Sequence, residues 1–276
     1  MTILDGKQLA EKIIAQLKTE VAALNRTVRL AVVVVGKDPV VAKFIAQKRK
    51  TAEKIGVDFH IFSFEETISA KDLRSRVAEI VHEKKNTGVI IQLPLPAHIG
   101  KQHMLNAITP QKDVDVLSAR ALGNVVVGSS PIISPVAGAI KALLDEYGIT
   151  CTGKRIVVMG AGALVGKPIA LWLLSENIGF SLVTRETHNV PELLAQADVI
   201  ISGIGKPGLI TGSMVKEGVV IVDAGTSESN GKLAGDVDFE SAGEKASFIT
   251  PVPGGVGPVT VAMLLKNLIT LARLQK

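Results

Sequence analysis

Arg155-Ile-Val-Val-Met-Gly160-Ala-Gly162-Ala-Leu-Val-Gly166-Lys-Pro168 decides the fold. Its first five residues read as a short buried strand. Gly160 and Gly162 permit a tight turn and the close approach of a phosphate. An apolar helix then starts at Gly166, and its first turn supplies backbone N–H groups and the positive end of a dipole. The spacing is Gly-x-Gly-x-x-x-Gly rather than the commoner Gly-x-Gly-x-x-Gly. On pattern alone, a glycine turn without a ligand therefore stays open.

Working outward, further strands are expected at residues 179–184, 198–203 and 219–223. N-terminal to these lie a helix at 135–147 and a polar, irregular stretch at 118–134. An earlier series begins with an amphipathic helix, Asp5 to Leu24, with Leu9, Ile13, Leu17 and Val21 four apart. Arg29 to Val35 is a strand buried on both faces. Asp38-Pro39 opens a helix to about Ile55, with Pro in the first turn. Asp58 to Phe64 is a strand, Lys71 to Lys84 a helix and Gly88 to Leu93 a third strand. Strand and helix alternate, which predicts an α/β protein built from parallel βαβ units. Two α/β domains with a cleft between them are expected, the second a Rossmann-like, doubly wound, mostly parallel sheet. The boundaries expected are 1–125, completed by a C-terminal helix at 257–276, and 126–256.

Composition narrows the class. The chain has 276 residues, 47% of them hydrophobic, enough for a large core without disulfides. Cys151 is the sole cysteine, which excludes an intramolecular disulfide and a multi-cysteine metal site. No signal peptide is read, and apolar runs such as Ala31 to Val35 are too short to span a bilayer. A cytoplasmic protein with no membrane partner is expected. The net charge of +5 lacks the interleaved aromatics of single-strand binders, so no nucleic acid is expected; an anionic small molecule fits equally well. The five histidines form no metal-binding pair of helical spacing, and no metal is expected.

Three other stretches carry a resemblance. Residues 249–262, Ile-Thr-Pro-Val-Pro-Gly-Gly-Val-Gly-Pro-Val-Thr-Val-Ala, hold a dense Pro-Gly loop before a helix expected from Val259 to Leu271. Gln92-Leu-Pro-Leu-Pro96 ends the third strand, and Lys112-Asp-Val-Asp115 follows it. With Phe44-Ile-Ala-Gln-Lys48, these segments closely resemble the bifunctional methylenetetrahydrofolate dehydrogenase/methenyltetrahydrofolate cyclohydrolase family. The resemblance runs from Asp5-Gly6 to the last helix.

It implies oxidation of 5,10-methylenetetrahydrofolate to the methenyl form with NADP, then hydrolysis to 10-formyltetrahydrofolate. Lys48 matches the family's catalytic lysine, Gln92 the residue that orients it, and Asp115 the carboxylate that grips the pterin. The first step creates a cation, so a neutral Lys48 is expected in the complex. Phe44, Pro251, Val252, Gly254 and Gly255 would border the folate. On the cofactor side the resemblance implies Gly160, Gly162, Ala163, Val165 and Gly166 at the glycine turn. It adds Gly203 and Gly205 from Gly203-Ile-Gly-Lys-Pro-Gly208, and Thr226 beyond Asp223-Ala-Gly225. After the following strand comes Arg185, suited to a 2′-phosphate, which favours NADP; Glu186 beside it leaves NAD possible. A homodimer joined through the nucleotide domain is also implied.

Most departures fall on the folate side or at the domain junction. Phe44 stands where the family has Tyr, and Tyr147, the only tyrosine, sits far away in sequence. Val41 replaces a frequent Ser, Val116 replaces Gly, and Ile132-Ile-Ser-Pro135 replaces Pro-Cys-Thr-Pro. Gly162 stands where Ser is usual. A monofunctional member, or a non-catalytic nucleotide-binding scaffold, remains an alternative at this stage.

Overall fold

The computed structural model describes residues 1–229 and 232–275. The chain forms two compact units, one of residues 1–11 and 136–260, the other of residues 12–135 and 261–276. The strands, in chain order, are β1 (Thr2–Ile3), β2 (Arg29–Val35), β3 (Asp58–Phe64), β4 (Gly88–Ile91), β5 (Ile156–Met159), β6 (Phe180–Val183), β7 (Val199–Ser202), β8 (Val220–Asp223), β9 (Ser227–Ser229), β10 (Lys232–Ala234) and β11 (Phe248–Ile249).

The 12–135/261–276 unit holds a parallel sheet of order β3-β2-β4. Along β2, side chains alternate between two cores. Leu30 and Val32 pack with Leu17, Val21, Ile45, Leu264 and Leu268. Ala31 and Val33 pack with Leu73, Val77, Ile80 and Val81. Burial on both faces is why this strand reads as an unbroken apolar run. The helix Pro39–Lys54 starts where Asp38 Oδ1 accepts from Val40 N at 2.7 Å and Val41 N at 3.2 Å.

The other unit holds six parallel strands in the order β1-β11-β8-β7-β5-β6. A two-stranded hairpin, β9-β10, stands apart from it. Val157, Met159, Ile200 and Ile221 form one face of its core. The doubly wound α/β fold is thus present, with the glycine turn at the end of β5.

Three expectations need correction. Residues 118–134 are not wholly irregular: Ser118 caps a helix, Ala119–Val126, whose Ala121 and Val125 are buried. Gly123 and Asn124 interrupt the apolar period there and hide it. The last helix begins at Val256 rather than Val259, with Pro258 in its first turn, where a missing N–H costs nothing. That helix, Val256–Leu274, is also long and apolar enough to cross a membrane by length and composition, contrary to the reading of apolar runs. Its Leu264, Leu265, Leu268 and Leu271 are core residues, so packing against β2 accounts for its composition.

Candidate active site

Lys48 projects from the third turn of the helix after β2, and Gln92 follows the last residue of β4. The two strands are neighbours in register, so their C-terminal ends and the helix meet at one edge. Lys48 Nζ donates to Gln92 Oε1 at 2.9 Å. Gln92 Nε2 in turn donates to Leu93 O at 2.9 Å, which fixes the amide with its oxygen toward the lysine. A cis Leu93–Pro94 bond follows. A cavity of about 340 Å³ lies beside the pair, lined by Val35, Asp38, Val41, Glu66, Gln92 and Pro94 among others.

Asp115 lies close enough to Lys48 to feel its charge. Burial pushes the Asp115 carboxyl above the usual carboxylate range; the Lys48 ammonium opposes this and the Asp113 carboxylate adds to it. Asp113 is itself buried and raised, partly offset by hydrogen bonds from Ser118, Leu117 and Val116. Its Oδ2 accepts from Leu117 N at 3.2 Å and Ser118 N at 2.8 Å, which closes the turn presenting Asp115. Val116 inside that turn is left-handed, with φ 56°, and is buried. Few β-branched residues adopt this conformation, and it explains the family's glycine there. Asn267 Nδ2 bridges Val114 O at 2.9 Å and Ile133 O at 2.8 Å, holding two loops beside this turn.

Phe44 lies one turn before Lys48 and is 46% exposed. Tyr147 is engaged elsewhere: its Oη accepts from Asp5 N at 2.9 Å, and its ring sits edge-on to Phe248. Those contacts are structural, within the other unit.

In the six-stranded unit, the glycine turn is built for close packing as well as for a ligand. A Cβ on Gly166 would stand 1.8 Å from Gly160 O, and one on Gly203 would stand 2.2 Å from Val165 Cγ1. Gly160 has φ 96°. Gly162 differs: no heavy atom lies within 4 Å of where its Cβ would be. Gly162 and Ala163 are exposed and leave open space at the helix start, which fits a phosphate. The same openness would accommodate the serine that the family resemblance implies there. Arg185 and Glu186 are both exposed beyond the end of β6. Glu186 N donates to Thr184 Oγ1 at 3.3 Å, and Thr184 N to Thr187 Oγ1 at 2.9 Å, so the turn around Arg185 is braced from within.

Gly205 and Thr226 are exposed after β7 and β8, and Gly203 is half-buried. In the Pro-Gly loop, Pro251 and Val252 are half-buried, whereas Gly254 and Gly255 are buried. A Cβ on Gly6 would stand 1.7 Å from Gly255 O, so the start of the first helix is pressed against this loop. Among the described residues, no group of three or more His, Cys, Asp and Glu side chains could hold a metal ion.

A parallel Rossmann-like sheet with an open glycine turn, in a chain whose other unit carries a lysine–glutamine pair, defines a dinucleotide-dependent α/β enzyme. Residues 4–115 match the catalytic domain of tetrahydrofolate dehydrogenase/cyclohydrolase, and residues 134–276 match its NAD(P)-binding domain. The chain belongs to the tetrahydrofolate dehydrogenase/cyclohydrolase family. It is 39% identical to the bifunctional protein FolD of Acetivibrio thermocellus, over 99% of this chain and 97% of that one. It is 42% identical to the FolD of a Hydrogenobaculum species, over 97% of each chain. The crystal structure of the bifunctional FolD of Campylobacter jejuni superposes with a TM-score of 0.96 at 37% identity, over 99% of each chain. The Trypanosoma brucei enzyme, crystallised with NADP and an inhibitor, gives 0.93 at 33% identity, over 99% of this chain and 97% of that one.

Proposed function

We propose that this chain oxidises 5,10-methylenetetrahydrofolate to 5,10-methenyltetrahydrofolate with NADP and hydrolyses the methenyl form to 10-formyltetrahydrofolate. The observation that carries the reading is the Lys48 Nζ–Gln92 Oε1 contact of 2.9 Å beside the raised carboxyl of Asp115. It gives a proton-handling amine with a fixed direction, next to a carboxyl group.

When bound, NADP supplies the acceptor for hydride leaving the one-carbon bridge. Gly160, Gly162, Ala163, Val165 and Gly166 would hold its pyrophosphate, Arg185 its 2′-phosphate, and Gly203, Gly205 and Thr226 its other end. On the folate side, Asp115 would accept from the pterin's donor edge, with Phe44, Pro251, Val252, Gly254 and Gly255 as the surrounding surface. In the second reaction water adds to the cationic carbon. Lys48 Nζ takes one proton from that water, leaving a carbinol; its O–H proton then departs as the C=O bond forms and the carbon–N5 bond breaks, and N5 takes up one of the two protons. The formyl group stays on N10, and one proton is released overall. Gln92 keeps the amine pointed at the reacting carbon throughout.

The folate chemistry is assigned to residues 1–125 with 257–276, and the dinucleotide to 126–256. A cytoplasmic homodimer without nucleic-acid or membrane partners belongs to the same reading, which the full-length likeness to FolD proteins supports.

A spectrophotometric assay with 5,10-methylenetetrahydrofolate and NADP tests the reading. Methenyl absorbance should appear and then decay. Reduced cofactor with persistent methenyl product would select the monofunctional form; no reaction with NADP or NAD would leave only a scaffold.

A further inference from the structure

Two aspartates lie buried at the strand ends of the six-stranded unit, Asp223 at the end of β8 and Asp236 after β10. Asp236 has no exposed surface, and four donors converge on it. Its Oδ2 accepts from Ser202 Oγ at 2.8 Å and Ile204 N at 2.7 Å. Its Oδ1 accepts from Gly205 N and Lys206 N, both at 2.9 Å. Three successive backbone N–H groups aimed at one point make an anion-binding nest. Here the anion is the chain's own side chain.

Two glycines make room for it. A Cβ on Gly225 would stand 2.4 Å from the Asp236 carboxyl carbon, and one on Gly235 would stand 2.1 Å from Asp223 Oδ2. Asp223 accepts from Gly225 N at 2.8 Å and Val237 N at 2.9 Å. Its carboxyl is pushed up to about 6, first by burial and further by the Asp236 charge, against those backbone donors. The glycines of Asp223-Ala-Gly225 and Gly235-Asp236 therefore serve the carboxylates.

We propose that Asp236 is a positioning residue for the dinucleotide: it fixes the Gly203–Lys206 loop in its binding shape by occupying the loop's amide groups. A loop whose donors are spent inward does not grip a phosphate. It offers a preformed surface instead, and the ordering entropy of its residues is lost at folding rather than at binding. The proposal rests on the reading that Gly203 and Gly205 line the cofactor.

The test compares Asp236→Asn and Ser202→Ala with the parent enzyme. Asn keeps the shape but sets an NH2 group against backbone donors. The NADP dissociation constant should rise about tenfold or more in Asp236→Asn, and by about two- to fivefold in Ser202→Ala. Amide hydrogen exchange at 204–206 should quicken in both without cofactor. Hydrolysis of added methenyltetrahydrofolate, which uses no dinucleotide, should stay within about twofold of the parent rate. NADP binding unchanged in both variants, or binding and hydrolysis falling in parallel, would overturn the proposal. If Asp236→Asn does not fold, Ser202→Ala alone decides by the same criteria. In the parent enzyme, NADP should slow exchange at 203–206; no slowing there would sink the underlying cofactor reading, whatever the variants do.

Discussion

The lysine site of one unit and the glycine turn of the other are built from different materials. Around Lys48 the work falls to side chains: an amine on the helix after β2, an amide at the end of β4 and a carboxyl in the turn that holds Asp115. Around Gly160 it falls to backbone, with glycines admitting a carbonyl, a valine or a carboxylate where no Cβ would fit. A side-chain site loses its chemistry when one group is replaced and keeps its fold. A backbone site loses its packing first. The two regions should therefore fail differently.

The sharpest break is expected at Lys48. Lys48→Met should lower methenyl hydrolysis by about 10²- to 10⁴-fold, the range for removing a proton-transfer group. Its melting temperature should stay near that of the parent, because the side chain is not part of either core. A variant that hydrolysed at the parent rate would remove Lys48 from the mechanism. On the backbone side, Gly166→Ala should cost about 3 kcal/mol or more in thermal denaturation, since the methyl group meets Gly160 O at 1.8 Å. Gly162→Ala meets nothing and should stay within about 0.5 kcal/mol. Equal losses in the two would show that steric crowding does not distinguish them. Phe44→Tyr returns a hydroxyl one turn from Lys48 and should speed hydrolysis about two- to tenfold, the worth of one neutral hydrogen bond. A steady-state rate equal to the parent's would mean that the phenol has no part here.

The smallest effect is expected at Val116. Glycine and alanine both remove the buried side chain, but only glycine is free of the left-handed penalty at φ 56°. Val116→Gly should therefore be more stable than Val116→Ala by about 1 kcal/mol in urea titration. The reverse order would show that the turn relaxes once the valine is gone.

The same contrast governs how much could be read beforehand. Arg29–Val35 appears in the structure with its expected limits, because burial on both faces leaves a continuous apolar run. Lys48, Gln92 and Asp115 were visible because their residue types and neighbours match a family pattern. The two-residue strands Thr2–Ile3 and Phe248–Ile249 are too short to carry a period. Asp236 carries no local signal of its task, which depends on residues 202–206 folding back over it. Asn267 reads as one polar residue on an apolar helix, since the two carbonyls it bridges lie 134 or more positions away. Val116 was visible as a departure, whereas its backbone angle was not.

One feature of the sheet bears on how the molecule is made. Thr2 and Ile3 pair with Phe248 and Ile249, and the core under β2 is closed by leucines between 264 and 271. On the ribosome the earliest part of the chain must wait for nearly the whole of the rest before its edge is covered. Folding dominated by such distant pairings is slow and leaves apolar surface open meanwhile. A ribosome stalled before residue 248 would hold a nascent chain with both cores unfinished, a form suited to chaperone capture.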